Sequence, residues 1–204
     1  MKLYYSPGSC SLVVRIILNE LGLPATYEAV TLSTKKTETG QDFYAINPKG
    51  AVPALVMDNG EILTENTVIL QYLADTHNRH DLLPALGSMK RYHVLEALNF
   101  MGSDLHKSCA PFFNPQMPAE IKTTLFKPML EMKLALVDKA LGDKKYLVND
   151  AFTLADAYLF VILSWMPHLP IALSAYQNLS RFFDDMSTHP SVLLSLKQEQ
   201  DSKR

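Results

Sequence analysis

One change of pattern constrains the fold of this chain more than any other feature. Short β-branched and aromatic segments occur only in the first 80 residues, and beyond the polar stretch 76–88 apolar residues recur almost wholly at helical spacing. Such a chain must build its sheet in the first part and pack helix on helix in the second. The expected architecture is a small α/β domain over 1–80, a linker, and an all-α domain over 87–204.

In the first part, Leu3-Tyr4-Tyr5 reads as a strand and Ser6-Pro7-Gly8 as a turn. Leu12, Val13, Ile16, Ile17 and Leu21 then repeat at helical spacing, with Gly22 suited to the C-cap. A second strand is expected from Thr26 to Leu32, a polar loop from Thr34 to Gly40, and a short helix over 43–46. Val52 to Met57 and Glu61 to Thr64 flank the hairpin turn Asp58-Asn59-Gly60. Val68, Ile69, Tyr72 and Leu73 mark an amphipathic helix. The order is β-α-β, a connection, then β-β-α, with a right-handed crossover between the first two strands.

In the second part, Val94, Leu98, Met101 and Leu105 step by four, three and four and form one apolar face. Pro111, Pro115 and Pro118 are expected to end that helix, and Pro128 to kink the next, over about 119–141. Thr153-Leu-Ala-Asp156 has the form of a capping box. The helix it opens is apolar all round, as expected of a buried centre. Final helices are expected over 174–187 and 190–198.

Cys10 stands where the first turn gives way to the first helix. Backbone N–H groups and the positive end of the helix dipole converge there, which favours the reactive thiolate. A buried structural thiol is the competing reading. Moving a thiol from a pKa of ~8.5 to ~6 takes about 3.4 kcal/mol. A helix end supplies about 0.3–1 kcal/mol, at most roughly 2, so a second donor or cation is required. Asn99, Ser103 and His106 lie at i, i+4 and i+7, opposite the apolar face and flanked by Glu96 and Lys107. They read as a solvated face or as the lining of a site. His106 or Lys107 would serve Cys10 if the fold brings them together.

Ala51-Val52-Pro53 follows a glycine and opens a strand. A cis Val52–Pro53 bond would turn the Val52 backbone outward, where a peptide-like ligand could pair with it; a plain edge-strand proline fits equally. Asn66 can cap the next helix, whose N-terminus suits a carboxylate, while Glu65 suits a ligand amine and Lys35 a second carboxylate. Together these describe a site for a small zwitterionic peptide beside a thiolate. Helix capping and a solvated loop lysine are the plainer readings.

Several classes are excluded. Cys10 is followed by Ser11, Leu12 and Val13, so no C-x-x-C supplies a resolving cysteine. A metal site from Cys10, His106 and Cys109 lacks any ligand-spacing signature, and no P-loop, G-x-G-x-x-G or G-x-S-x-G occurs. A net charge of −2 leaves no basic patch for nucleic acid or an anionic membrane. The longest apolar run, 157–166, is too short to span a bilayer. Two cysteines 99 positions apart, with no secretory segment, read as reduced thiols in a cytosol.

The chain resembles the bacterial beta-class glutathione S-transferases over essentially its full length. The resemblance is carried by M-K-L-Y-Y-S-P-G-S-C-S-L at the start, T-K-K-T-E-T-G-Q-D-F at 34–43, I-N-P-K-G-A-V-P-A-L at 46–55, D-N-G-E-I-L-T-E at 58–65 and Q-Y-L-A-D at 71–75. It continues in L-N-F and S-D-L-H-K over 98–107 and in F-T-L-A-D-A-Y-L-F at 152–160. It implies a thioredoxin-like first domain, an all-helical second domain and a cytoplasmic homodimer. It also implies glutathione as co-substrate, no metal, and conjugation of the glutathione thiolate to small hydrophobic electrophiles in detoxification. A glutathione-dependent monothiol thiol–disulfide oxidoreductase and a non-catalytic binding protein are the alternatives.

The resemblance implies roles as well. Cys10 would face the glutathione sulfur and could form a mixed disulfide with it. Val52 would pair with the cysteinyl part across a cis Pro53, Glu65 and Asn66 would hold the γ-glutamyl end, and Lys35 the glycyl carboxylate. Asn99, Ser103, Asp104, Leu105 and His106 would reach glutathione from the neighbouring subunit, with His106 and Lys107 near the sulfur. Asn66 stands where the family has a small residue, Ser or Gly. The stretch 108–128 would line the electrophile pocket.

Overall fold

The computed structural model describes residues 1–148 and 150–201; residue 149 and the last three residues of the expected second domain, 202–204, lie outside the described residues. The chain forms two compact units, one running from Met1 to Arg79 and including the stretch that begins at His189, the other His80–Thr188.

In the first unit, β1 (Lys2–Tyr5) and β2 (Thr26–Thr31) pair in parallel, joined by α1 (Leu12–Glu20). α1 closes as a Schellman turn at its C-terminus, with Gly22 at φ 65° donating to Asn19 O and Leu23 N–H donating to Leu18 O. β4 (Ala54–Val56) runs antiparallel to β1, and β5 (Ile62–Thr64) antiparallel to β4. The expected polar loop at 34–40 carries a two-residue strand, β3 (Lys36–Thr37), antiparallel to β2. The sheet order β3-β2-β1-β4-β5 is the mixed, thioredoxin-like arrangement. Tyr4, Val30, Phe43, Val52 and Ala54 form one core cluster, and alternation along β1 sends the buried Leu3 and Tyr5 to the opposite face.

α2 (Asn66–Thr76) follows β5. It buries Ile69, Leu70, Leu73 and Ala74, and exposes Val68 and Tyr72. The sequence pattern fits either apolar pair, and the sheet side selects one. A larger correction concerns the last helix. α9 (Pro190–Asp201) belongs to the first unit, although it lies within the expected second domain of 87–204. Asn19 Nδ2 donates to Ser195 Oγ at 2.7 Å and to Gln198 Oε1 at 3.0 Å. The Gly8 N–H donates to Glu199 Oε2 at 2.8 Å.

In the second unit, α3 (Met89–Phe100) runs through one widened π-turn (Met101–Leu105) into α4 (His106–Phe113). Val94, Leu98, Met101 and Leu105 are all buried, as their spacing predicts. Pro111 lies inside α4 rather than ending it. The next helix is continuous from α5 (Ala119–Ile121) through a second π-turn (Lys122–Phe126) to α6 (Lys127–Leu141). Pro128 lies inside this continuous helix, two residues after the π-turn, where the widened backbone ladder accommodates a residue without an N–H.

α7 (Leu154–Leu163) is buried at every position. Its capping box is formed: Asp156 Oδ2 accepts from Thr153 N–H at 2.8 Å, and Oδ1 accepts from Leu147 N–H at 2.7 Å. α8 (Gln177–Ser187) completes the unit. The stretch expected as a linker is anchored within it, for Leu82 and Leu83 are buried and Leu82 O accepts from Leu154 N–H at 3.3 Å.

Candidate active site

The first unit gathers five of the expected site residues around two loops. α1 begins at Leu12 with Ser11 as its N-cap, so Cys10 lies one position outside the helix. Ser11 Oγ pins this turn: it accepts from Ser6 N–H at 3.1 Å and lies 2.7 Å from Ser9 Oγ. The half-buried Cys10 donates its thiol to Val52 O, with Sγ 3.5 Å from the carbonyl. In this contact the S–H is the donor and the Val52 carbonyl the acceptor.

The Val52–Pro53 bond is cis. The turn before it is tied by Asn47, whose Nδ2 donates to Ala51 O at 2.6 Å and whose Oδ1 accepts from Lys49 N–H at 3.2 Å. Gly50 is required, since it holds φ 60° and a Cβ there would stand 2.6 Å from a Tyr44 ring carbon. Lys35 Nζ donates to Gly50 O at 2.7 Å. A thiol and an ammonium therefore rest on carbonyls two residues apart.

Glu65 precedes α2 at φ 71° and ψ 119°, a strained conformation for a residue with a side chain, of the kind that clusters at ligand sites. Its Oε1 accepts from Lys49 Nζ at 2.6 Å, and Lys49 also reaches Thr64 Oγ1 at 3.0 Å. Asn66 is the first helical residue and is buried; the N-cap position expected of it belongs to Glu65.

The second unit holds the others. Asn99 and Ser103 are exposed on one line, with the Ser103 hydroxyl shared between Asn99 O at 3.0 Å and Asp104 Oδ2 at 2.9 Å. Ser103 and then Lys133, 3.2 Å from Asp104 Oδ1, hold the Asp104 carboxyl below the usual range. Leu105 is fully buried, which leaves only its backbone to meet a ligand. Lys107 is exposed.

His106 departs from the expected stripe, because the π-turn changes the phase of the helix before it. Its Nδ1 lies 2.8 Å from the Tyr158 hydroxyl, and its ring packs on Trp165 with centroids 4.9 Å apart. Burial, and then the charge of Lys107, push its pKa down to about 4. It is therefore neutral at pH 7, so of the two roles the sequence offers, donor or cation, His106 is suited to the donor, since a neutral imidazole still carries one N–H. Cys109 is buried, and burial pushes its thiol up to about 12, so it is chemically inert. Among the described residues, no group of three or more His, Cys, Asp or Glu could hold a metal ion.

Two family models match, the glutathione S-transferase N-terminal domain over residues 3–81 and the C-terminal domain over 107–190. The chain is 42% identical over 199 residues to glutathione S-transferase GstA of Escherichia coli O157:H7, covering 98% of each. The chain belongs to the glutathione S-transferase family. Within it, a sphingomonad glutathione S-transferase solved with glutathione superposes with a TM-score of 0.93 at 41% identity, over 98% of this chain and 99% of that one. A beta-class glutathione S-transferase of Sphingomonas chungbukensis does so with a TM-score of 0.93 at 43% identity, over 98% of both. This transferase is thus of the bacterial beta class.

Reading the residues one at a time missed three features of this glutathione S-transferase. Lys49 pairs with Glu65, a link hinted at only by opposite charges flanking two predicted turns. Tyr158 and Trp165 hold His106 from positions that read simply as core.

Proposed function

We propose that this transferase binds glutathione on its first unit and adds the glutathione thiolate to small hydrophobic electrophiles, a detoxifying conjugation. The reading is carried by the convergence of Cys10 and Lys35 on the carbonyls of the Gly50–Val52 turn. A peptide strand laid along that turn exchanges hydrogen bonds with the Val52 backbone. Its cysteinyl amide displaces the Cys10 thiol from Val52 O, leaving Cys10 to face the bound sulfur. Lys35 takes the glycyl carboxylate, while Glu65 and Asn66 take the γ-glutamyl end, whose amine replaces Lys49 on Glu65.

The second unit contributes Asn99, Ser103, Asp104 and the Leu105 backbone as polar contacts, His106 as a neutral donor to the sulfur and Lys107 as a cation. In a homodimer these come from the partner subunit. An apolar electrophile has a suitable surface in Phe113, which is 52% exposed and packs edge-on against Trp165 with ring centroids 6.0 Å apart. A cytoplasmic location fits the two free thiols.

The inert Cys109 also favours monothiol over dithiol exchange as a second activity of Cys10. One comparison tests both. Cys10→Ala should abolish reduction of a glutathione mixed disulfide and lower conjugation of a generic electrophile by about tenfold. Loss of neither activity removes Cys10 from the chemistry. A wild-type protein that does not bind glutathione in calorimetry overturns the reading as a whole.

A further inference from the structure

We infer that Tyr158 is a positioning residue that locks His106 in the tautomer carrying its proton on Nε2. The inference rests on the role proposed for His106 as a donor to the glutathione sulfur. The observation itself concerns only α4, α7 and the turn that follows α7.

Tyr158 is 2% exposed, and its hydroxyl lies 2.8 Å from His106 Nδ1. A neutral imidazole has one donor nitrogen and one acceptor nitrogen, and the partner of one decides the identity of the other. A phenol O–H is a good donor and its oxygen a weak acceptor, whereas the unprotonated imidazole nitrogen is a strong acceptor. The Tyr158 O–H therefore donates to Nδ1, which leaves the proton on Nε2. Trp165 fixes the second degree of freedom, since its ring lies 4.9 Å from the imidazole centroid at 54° and restricts rotation. A donor that touches the reacting sulfur is thus oriented by a hydroxyl that does not.

This arrangement is cheap to probe, because Tyr158→Phe removes one oxygen from α7 and keeps its packing. Histidine-labelled protein is examined by long-range nitrogen–proton correlation spectroscopy, with His106 assigned by the signal missing in His106→Gln. The wild type should show protonated Nε2 and bare Nδ1. Tyr158→Phe should unfold at nearly the wild-type temperature yet show His106 exchanging between tautomers. Its kcat for conjugation should fall about tenfold with KM for glutathione unchanged, the loss of one oriented hydrogen bond. An unchanged His106 signature in Tyr158→Phe, or a wild-type His106 protonated on Nδ1, overturns the inference. Full kcat in His106→Gln would instead overturn the proposed role of His106, a result distinguishable from the tautomer measurement.

Discussion

His106 shows how burial decides chemistry at a single residue. With a native pKa near 4, it refuses a proton that the unfolded chain accepts near pH 6.5. Its contribution to stability is therefore present above pH 6.5 and lost as pH falls toward 4. The loss should be about 2 kcal/mol on acidification from pH 7 to 4.5. Urea unfolding at both pH values checks this: wild type should lose about that much more than His106→Gln, and equal losses would refute it. Glu65 illustrates the opposite case. Its pair with Lys49 is exposed at both ends, 62% and 55%, so it adds little to stability. Glu65→Gln should leave the melting temperature nearly unchanged while weakening glutathione binding about tenfold in calorimetry. Cys10 could be located from its own neighbours in sequence, because a turn followed by a helix is local. The partners of His106 could not, since Tyr158 is 52 residues away and reads as one more apolar-helix residue.

At the scale of elements, the start of α7 is where local sequence and packing agree most closely. Asp156 satisfies the N–H groups of both Thr153 and Leu147, and all three groups lie in the interior or at its edge. Asp156→Ala leaves these donors without their acceptor and should destabilise the protein by about 2–4 kcal/mol, measured by chemical denaturation. A loss under 1 kcal/mol would show that water replaces the carboxylate. The helices around it were legible from apolar spacing, down to the face formed by Val94, Leu98, Met101 and Leu105. The two π-turns were not. The first widens one turn while Met101 and Leu105 on either side both stay buried, so periodicity reads straight through it. Pro111 misled for a related reason: a single missing N–H is tolerated when the rest of the helix is held by tertiary contacts.

At the scale of the whole molecule, the described residues leave an extended apolar surface exposed on the second unit. Ile121, Leu125, Met129, Met132 and Leu136 form an exposed apolar stripe along α5 and α6. Such a stripe suits an interaction surface, and in the homodimer proposed above a second copy of the chain would cover it. Wild type should sediment as a dimer, and Met132→Glu with Leu136→Glu should sediment as a monomer while keeping its helical circular dichroism. A dimer that survives both changes places the interface elsewhere. The sequence by itself determined the two-part architecture, the β-α-β unit and the hairpin of the first part, and the loop that carries Cys10. These depend on spacing and turn chemistry between near neighbours. Only the tertiary structure decided that α9 packs on α1, that Lys49 covers Glu65 and that His106 is neutral. Each of these depends on burial, or on a contact between residues far apart in the chain, and local spacing carries no record of either.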